Sequence, residues 1–222
     1  MTGPTSALTW GEVDLVLNRG ANALLEADLG PFRRVAVFAE NSCETAMAHL
    51  GGLFGGVSTV PVNFHLNASE AAYILKDSRA VVVFAGPETV DRAVEAARLA
   101  EVSTVVAWGD CEATGVLTWS EWLESGSDSP PADDVRPLPN MLYTSGTTGV
   151  PKGTELPPTM FAEGSTLREH LESLGKSRYA NLGTHLVVGP MYHTGPLSGM
   201  RSLLAGVPSV VLGRFSAEEA LR

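Results

Sequence analysis

Tyr143-Thr144-Ser145-Gly146-Thr147-Thr148-Gly149-Val150-Pro151-Lys152-Gly153 follows the apolar pair Met141-Leu142. Four Ser/Thr hydroxyls, three glycines and one lysine crowd into one short loop. Such a loop suits a polyanion. Glycines let backbone N–H groups approach phosphate oxygens with no Cβ in the way. The hydroxyls add donors, and Lys152 adds a mobile positive charge. The loop is not a P-loop NTPase signature. Counted from Gly146, Pro151 stands where that motif needs its second glycine, and Gly153 where it needs a Mg2+-binding hydroxyl.

Outward from the loop, the chain reads as alternating strands and helices. Thr9 to Ala27 predicts an amphipathic helix with a Thr9/Glu12 capping box, an apolar side of Val13, Val16, Leu17, Leu24 and Leu25, and a stop at Gly30-Pro31. Arg34 to Ala39 predicts a strand buried on both faces. Asn41-Ser42 caps a helix from Cys43 to Phe54. Val57 to Val62 is a second strand, broken by Pro61. Asn67 opens a helix to about Asp77, and Ala80 to Ala85 is a third strand. Pro87 to Ala100 is helix, and Val102 to Trp108 a fourth strand. This order predicts right-handed βαβ units: an α/β fold of mostly parallel sheets with helices on both faces.

From Asp110 to Val135 the chain has seven acidic residues and no basic one. Trp119 and Trp122 fall on one helical turn, and packing against the sheet is favoured over a ligand platform. The expected organisation is a first α/β part over 1–124, an acidic Ser/Pro/Asp-rich linker over 125–137, and a second part over 138–222. In that second part Pro157-Pro158 opens a helix to about Leu174. Leu186 to Gly189 is a strand, Met191 to Pro196 a loop and Leu197 to Ala205 a helix. Pro208 to Leu212 is a strand, and Ser216 caps a last helix.

Composition removes several function classes. Net charge is −10 with only three lysines, which argues against non-specific nucleic-acid binding. Cys43 and Cys111 form no CxxC and fit idle thiols in a reduced, cytoplasmic chain. No signal peptide or transmembrane segment is read. No histidine has a zinc-ligand spacing, and Ser198 lies in no Gly-x-Ser-x-Gly elbow. His49, His65, His170 and His185 read as ordinary. His193, in Pro190-Met191-Tyr192-His193-Thr194-Gly195-Pro196-Leu197, lies beyond the end of an apolar strand, the usual place for a site in an open α/β sheet. On residues alone, a functional histidine and a hydrogen-bonded loop histidine both remain open.

The loop 143–153 resembles the phosphate signature of the adenylate-forming superfamily: acyl-CoA synthetases, peptide-synthetase adenylation domains and luciferases. It meets each fixed position of Thr-Ser-Gly-Thr-Thr-Gly-x-Pro-Lys-Gly. The His193 segment is similar to a second signature, Pro, Leu or Met, Tyr or Phe, then His. Arg34 to Glu44, Gly56 to Asn63 and Leu66 to Ser78 resemble other family segments, so the likeness runs along nearly the whole chain. It is nearest to bacterial fatty-acyl-CoA ligases.

The resemblance implies ATP-dependent formation of an acyl-AMP from a carboxylate, then transfer to the thiol of coenzyme A. It assigns Thr144, Ser145, Gly146, Thr147, Thr148, Gly149 and Lys152 to the nucleotide phosphates, and Thr144 to Mg2+. It makes Lys152 and His193 catalytic, and places His193, Gly195, Pro196 and Leu197 at the acyl pocket. A fatty acid is the first expectation, an aryl or amino acid the second. The family's adenine-stacking segment, ribose-binding Asp and small C-terminal domain have no counterpart in these residues. The chain is therefore expected to be the N-terminal part of a longer enzyme, inactive alone. As a second reading it is a nucleotide-binding or self-associating piece whose unfinished sheet edge favours a homo-oligomer.

Overall fold

A computed structural model describes residues 1–111, 113–144, 150–155, 164–181 and 183–221. Five strands form one parallel sheet: β1 (Arg34–Phe38), β2 (Ser58–Val62), β3 (Val82–Ala85), β4 (Thr104–Ala107) and β5 (Leu117–Thr118), in the order β2-β1-β3-β4-β5. The strands alternate in sequence with helices α1 (Trp10–Glu26), α2 (Cys43–Phe54), α3 (Ala68–Ser78), α4 (Val90–Ala100) and α5 (Trp119–Glu124).

Successive side chains of a strand point to opposite faces, and both faces are apolar. Ala36, Phe38, Val83, Ala85, Val105 and Ala107 pack with α3 and α4. Val35, Val37, Val82, Phe84 and Val106 face α1, α2 and α5. The expected parallel α/β fold with helices on both faces is what forms. Trp119 and Trp122 meet Phe84 edge-on at 5.9 and 5.6 Å, so the tryptophan pair is core packing. Caps set the helix starts. Thr9 and Glu12 form the expected box on α1, Ser42 accepts from the Thr45 N–H on α2, and Asn67 with Glu70 forms a box on α3.

The second part is smaller. β6 (Met141–Thr144) and β7 (Lys152–Glu155) form an antiparallel hairpin. After it come α6 (Leu167–Lys176), β8 (His185–Val187), α7 (Thr194–Gly199), a 3-10 turn (Met200–Ala205), β9 (Ser209–Val211) and α8 (Ala217–Ala220). β8 and β9 pair in parallel. Val187, Met191, Met200, Leu203 and Val211 close over the outer face of α1 and α2. Those two helices therefore lie between the five-stranded sheet and the β8–β9 pair.

Several expectations need correction. Leu25 is exposed rather than part of the apolar side of α1. Pro61 does not break β2, because β2 is an edge strand and a proline there leaves no ladder donor missing. Helix α4 starts at Val90, not Pro87. The Thr89 hydroxyl bonds the Phe38 and Gly86 carbonyls and accepts the Gly86 N–H, so 86–89 is a turn. The helix expected over 197–205 is α7 followed by the 3-10 turn. Strand β7 has no counterpart in the sequence reading. The helix start at Pro157-Pro158 lies outside the described residues; α6 is capped by Thr166. Among the described residues no helix is long and apolar enough to cross a membrane.

Candidate functional site

The register of the hairpin sets Thr144 opposite Lys152 and Tyr143 opposite Gly153. Residues opposite one another in an antiparallel pair lie about 4.5–5.5 Å apart at Cα. Thr144 and Lys152 therefore flank the mouth of the loop that joins the strands, and both are exposed. Ser145, Gly146, Thr147, Thr148 and Gly149, the centre of that loop, lie outside the described residues. Gly153 has a local reason. A Cβ there would stand 2.2 Å from Met141 Cε and 3.0 Å from Tyr143 Cζ. A side chain at this position would have to displace the end of Met141 or press on the Tyr143 ring.

The hairpin is tied to the first sheet on two sides. On one, the Ser58 hydroxyl donates to the Pro139 carbonyl at 2.6 Å, and the Asn140 side-chain amide donates to the Thr59 hydroxyl. That hydroxyl also meets Nδ1 of buried His49 at 2.7 Å. The arrangement that satisfies the chain runs from Asn140 N–H to Thr59 O–H to an unprotonated His49 Nδ1. Burial holds the His49 imidazole down to about 3, so it stays neutral at ordinary pH. On the other side, the Tyr143 hydroxyl donates to Asp77 Oδ2 at 2.6 Å, and the Tyr73 hydroxyl donates to the Pro151 carbonyl at 3.1 Å. Arg34 pairs with Glu155 and donates to the Ser78 carbonyl at 2.9 Å. Burial and the Asp77 carboxylate push the Tyr143 hydroxyl well above its usual range, which keeps it a donor.

His193 lies beyond the end of β8 and caps α7. Its ring rests on Tyr192 at 4.4 Å, and its backbone N–H donates to the Pro190 carbonyl at 3.0 Å. The side chain is exposed. Gly195 faces open space, Leu197 is buried, and Pro196 packs on Gly189, where a Cβ would stand 2.8 Å from its ring. Buried Asn41, just past β1, holds this loop. It donates to the Gly189 and Leu212 carbonyls and accepts the Met191 N–H.

The two segments share a core through their aromatics. Tyr143 and Tyr192 pack on the same α3–α4 core, with Tyr192 edge-on to Phe64 at 5.7 Å. Among the described residues no hydrogen bond or ion pair joins Thr144 or Lys152 to His193. A separate cleft of about 690 Å³ opens at the carboxyl ends of β1, β3 and β4, lined by Glu40, Pro87, Trp108, Asp110 and Arg214 among others. No described residue of either signature segment lines its walls.

A profile of the AMP-binding enzymes matches residues 1–221. The chain belongs to the AMP-binding enzyme family. Among curated AMP-binding relatives, the fatty acid–(acyl-carrier-protein) ligase ScoC of Streptomyces coeruleorubidus is 33% identical over 220 residues, covering 96% of this chain and 40% of its own length. The long-chain-fatty-acid–CoA ligase FadD13 of Mycobacterium tuberculosis is 27% identical over 215 residues, covering 95% of this chain and 41% of its own. The inhibitor-bound N-terminal domain of FACL13 from Mycobacterium tuberculosis superposes with a TM-score of 0.72 at 25% identity, over 99% of this chain and 54% of that one. The chain thus spans about two fifths of the length of these curated AMP-binding relatives.

Sequence reasoning missed the AMP-binding chain's supporting residues. Asn41 reads as a cap, Tyr73 and Asp77 only as members of a helix and Arg34 as a strand start, while Glu155 falls in no expected element. Asn41, Tyr73 and Asp77 fall within the segments that resemble the family, but that likeness names no partner for any of them.

Proposed function

We propose that the intact protein activates a carboxylic acid with ATP, as an acyl-AMP, and passes the acyl group to a thiol. The observation that carries this reading is the hairpin: in a chain of the AMP-binding family, Thr144 and Lys152 stand across from each other at the mouth of the 145–151 loop. Attack of a carboxylate on a phosphate brings two anions together. A unit pair about 4 Å apart at an effective dielectric near 20 costs about 4 kcal/mol. Thr144, Ser145, Thr147 and Thr148 donate hydrogen bonds to phosphate oxygens, Gly146 and Gly149 admit them closely, and Lys152 adds its charge at the leaving pyrophosphate. His193, with Gly195, Pro196 and Leu197, borders the acyl group and the thiol entrance.

Among the described residues no group of three or more His, Cys, Asp or Glu could hold a metal ion. Thr144 offers one neutral oxygen, a poor Mg2+ site without carboxylates or nucleotide phosphates beside it.

A fatty acid is the favoured substrate and coenzyme A the favoured thiol. The names of the two curated relatives support fatty acids and divide between a carrier-protein and a coenzyme A acceptor. We read residues 1–124 and 138–222 as two parts of one large nucleotide-binding domain. By themselves the 222 residues bind nucleotide at most, or self-associate through exposed Leu186 and Val188 beside β8. The test is ATP–pyrophosphate exchange with a panel of fatty, aryl and amino acids. Exchange dependent on fatty acid with the intact protein and absent with the 222-residue chain is expected. No acid-dependent exchange by the intact protein would refute the activity. Exchange by the 222-residue chain would refute its inactivity.

A further inference from the structure

We propose that Asp77 and Tyr73 of α3 are positioning residues that hold the β6–β7 hairpin, and with it Thr144 and Lys152, in the register that receives phosphate. The inference rests on reading Tyr143–Gly153 as the phosphate loop.

A two-stranded hairpin is marginal by itself in water. Here β6 and β7 form no ladder with any other strand of the described residues, and three of the four β7 residues are exposed. The shape of the hairpin must come from what it leans on, and on the exposed side that is α3. Tyr73 and Asp77 are four residues apart, so they share one face of the helix. Asp77 takes the hydroxyl of Tyr143, one residue before Thr144. Tyr73 takes the carbonyl of Pro151, one residue before Lys152. The two attachments therefore grip the ascending and descending limbs of the loop, each beside a residue that flanks its mouth. The ion pair of Arg34 with Glu155, and the bond from Arg34 to the last carbonyl of α3 at Ser78, fasten the base of the hairpin to the same helix.

The bond at Asp77 is short and made to a carboxylate, the stronger kind of hydrogen bond. It pins Tyr143 over Gly153, where any added Cβ would collide with it. Neither Asp77 nor Tyr73 need touch a nucleotide. Each acts through the backbone or side chain of a hairpin residue.

The experiment uses the intact protein with Asp77→Ala, Asp77→Asn and Tyr73→Phe. Hydrogen exchange of residues 141–155 reports the hairpin, and calorimetric titration with ATP reports the loop. Asp77→Ala and Tyr73→Phe are expected to speed exchange of 150–155 at least about tenfold and leave the amides of β1 and β3 unchanged. ATP affinity should fall about tenfold in Asp77→Ala and return to within about threefold of the parent in Asp77→Asn, which keeps an acceptor oxygen. Unchanged hairpin exchange in Asp77→Ala, or an equal rise across the whole chain, overturns the proposal. A loosened hairpin in a chain that never binds ATP supports the clamp and refutes the phosphate reading instead.

Discussion

The Asn41 side-chain oxygen accepts the backbone N–H of Met191 at 2.8 Å, while its nitrogen donates to the carbonyls of Gly189 at 2.9 Å and Leu212 at 3.2 Å. One buried amide, at the end of a strand of the first sheet, thus ties the start of the His193 loop to the end of β9. Asn41→Ala would take this partner from the buried Met191 N–H and from the half-buried Gly189 and Leu212 carbonyls. A loss of about 2–4 kcal/mol is expected, because each orphaned group costs about 1–3 kcal/mol and local relaxation recovers part of it. Urea denaturation measures it. A loss below about 0.5 kcal/mol would show that the loop finds its place without Asn41.

His49 predicts an acid-sensitive fold. Its ordinary value is 6.5, and burial lowers it to about 3 in the folded chain. Between those values the unfolded chain binds a proton that the folded chain does not. The stability contributed by neutral His49 is therefore complete above pH 6.5 and is lost as pH falls toward 3. His49→Gln should flatten the pH dependence of unfolding in that window by up to about 1.4 kcal/mol per pH unit, the value of one proton. Parallel curves for variant and parent would exclude His49 as the source.

Gly153→Ala should cost about 1–3 kcal/mol, the usual range for overpacking. The new methyl meets the flexible end of Met141 and the anchored ring of Tyr143. If Met141 alone gives way, the cost is small and independent of Tyr143. If the Tyr143–Asp77 bond breaks, Gly153→Ala and Tyr143→Phe should be clearly less than additive in a double-mutant cycle. Strict additivity would rule out that route.

In the intact protein, Lys152→Ala is expected to slow acyl-AMP formation about tenfold to a thousandfold, the range for losing one transition-state donor. Single-turnover assays with labelled ATP check this, and an unchanged rate removes Lys152 from the chemistry. His193→Ala should keep ATP affinity within about twofold and act on the acyl or thiol step. A large loss of ATP binding would reassign His193 to the nucleotide.

The parallel sheet is legible in the sequence because each long strand is a run of small and β-branched apolar residues. Arg34–Phe38 and Val82–Ala85 are buried on both faces, and capping residues stand nearby at Ser42 and Asn67. The hairpin is only half legible. Met141-Leu142-Tyr143 announces β6, but Lys152-Gly153-Thr154-Glu155 carries no apolar alternation, since three of its four residues are exposed and the fourth is glycine. The chemistry-bearing residues are recognisable as motifs. Their supports are not, because the partners of Asp77, Tyr73 and Asn41 lie from 66 to 171 positions away in the chain.

Pro61 has a consequence for how copies of this chain behave when crowded. In a parallel strand, alternate residues turn both backbone groups to the same side, so Thr59 and Pro61 present theirs together, away from β1. Pro61 offers no donor there, and the Thr59 carbonyl already receives Asn140 at 3.4 Å. At the opposite margin β5 is only two residues long. An incoming strand meets a missing donor and a taken acceptor at one border, and almost no length at the other. The five-stranded sheet is therefore a poor template for strand-by-strand growth, and chains emerging together from synthesis or refolding find no ladder on it to extend.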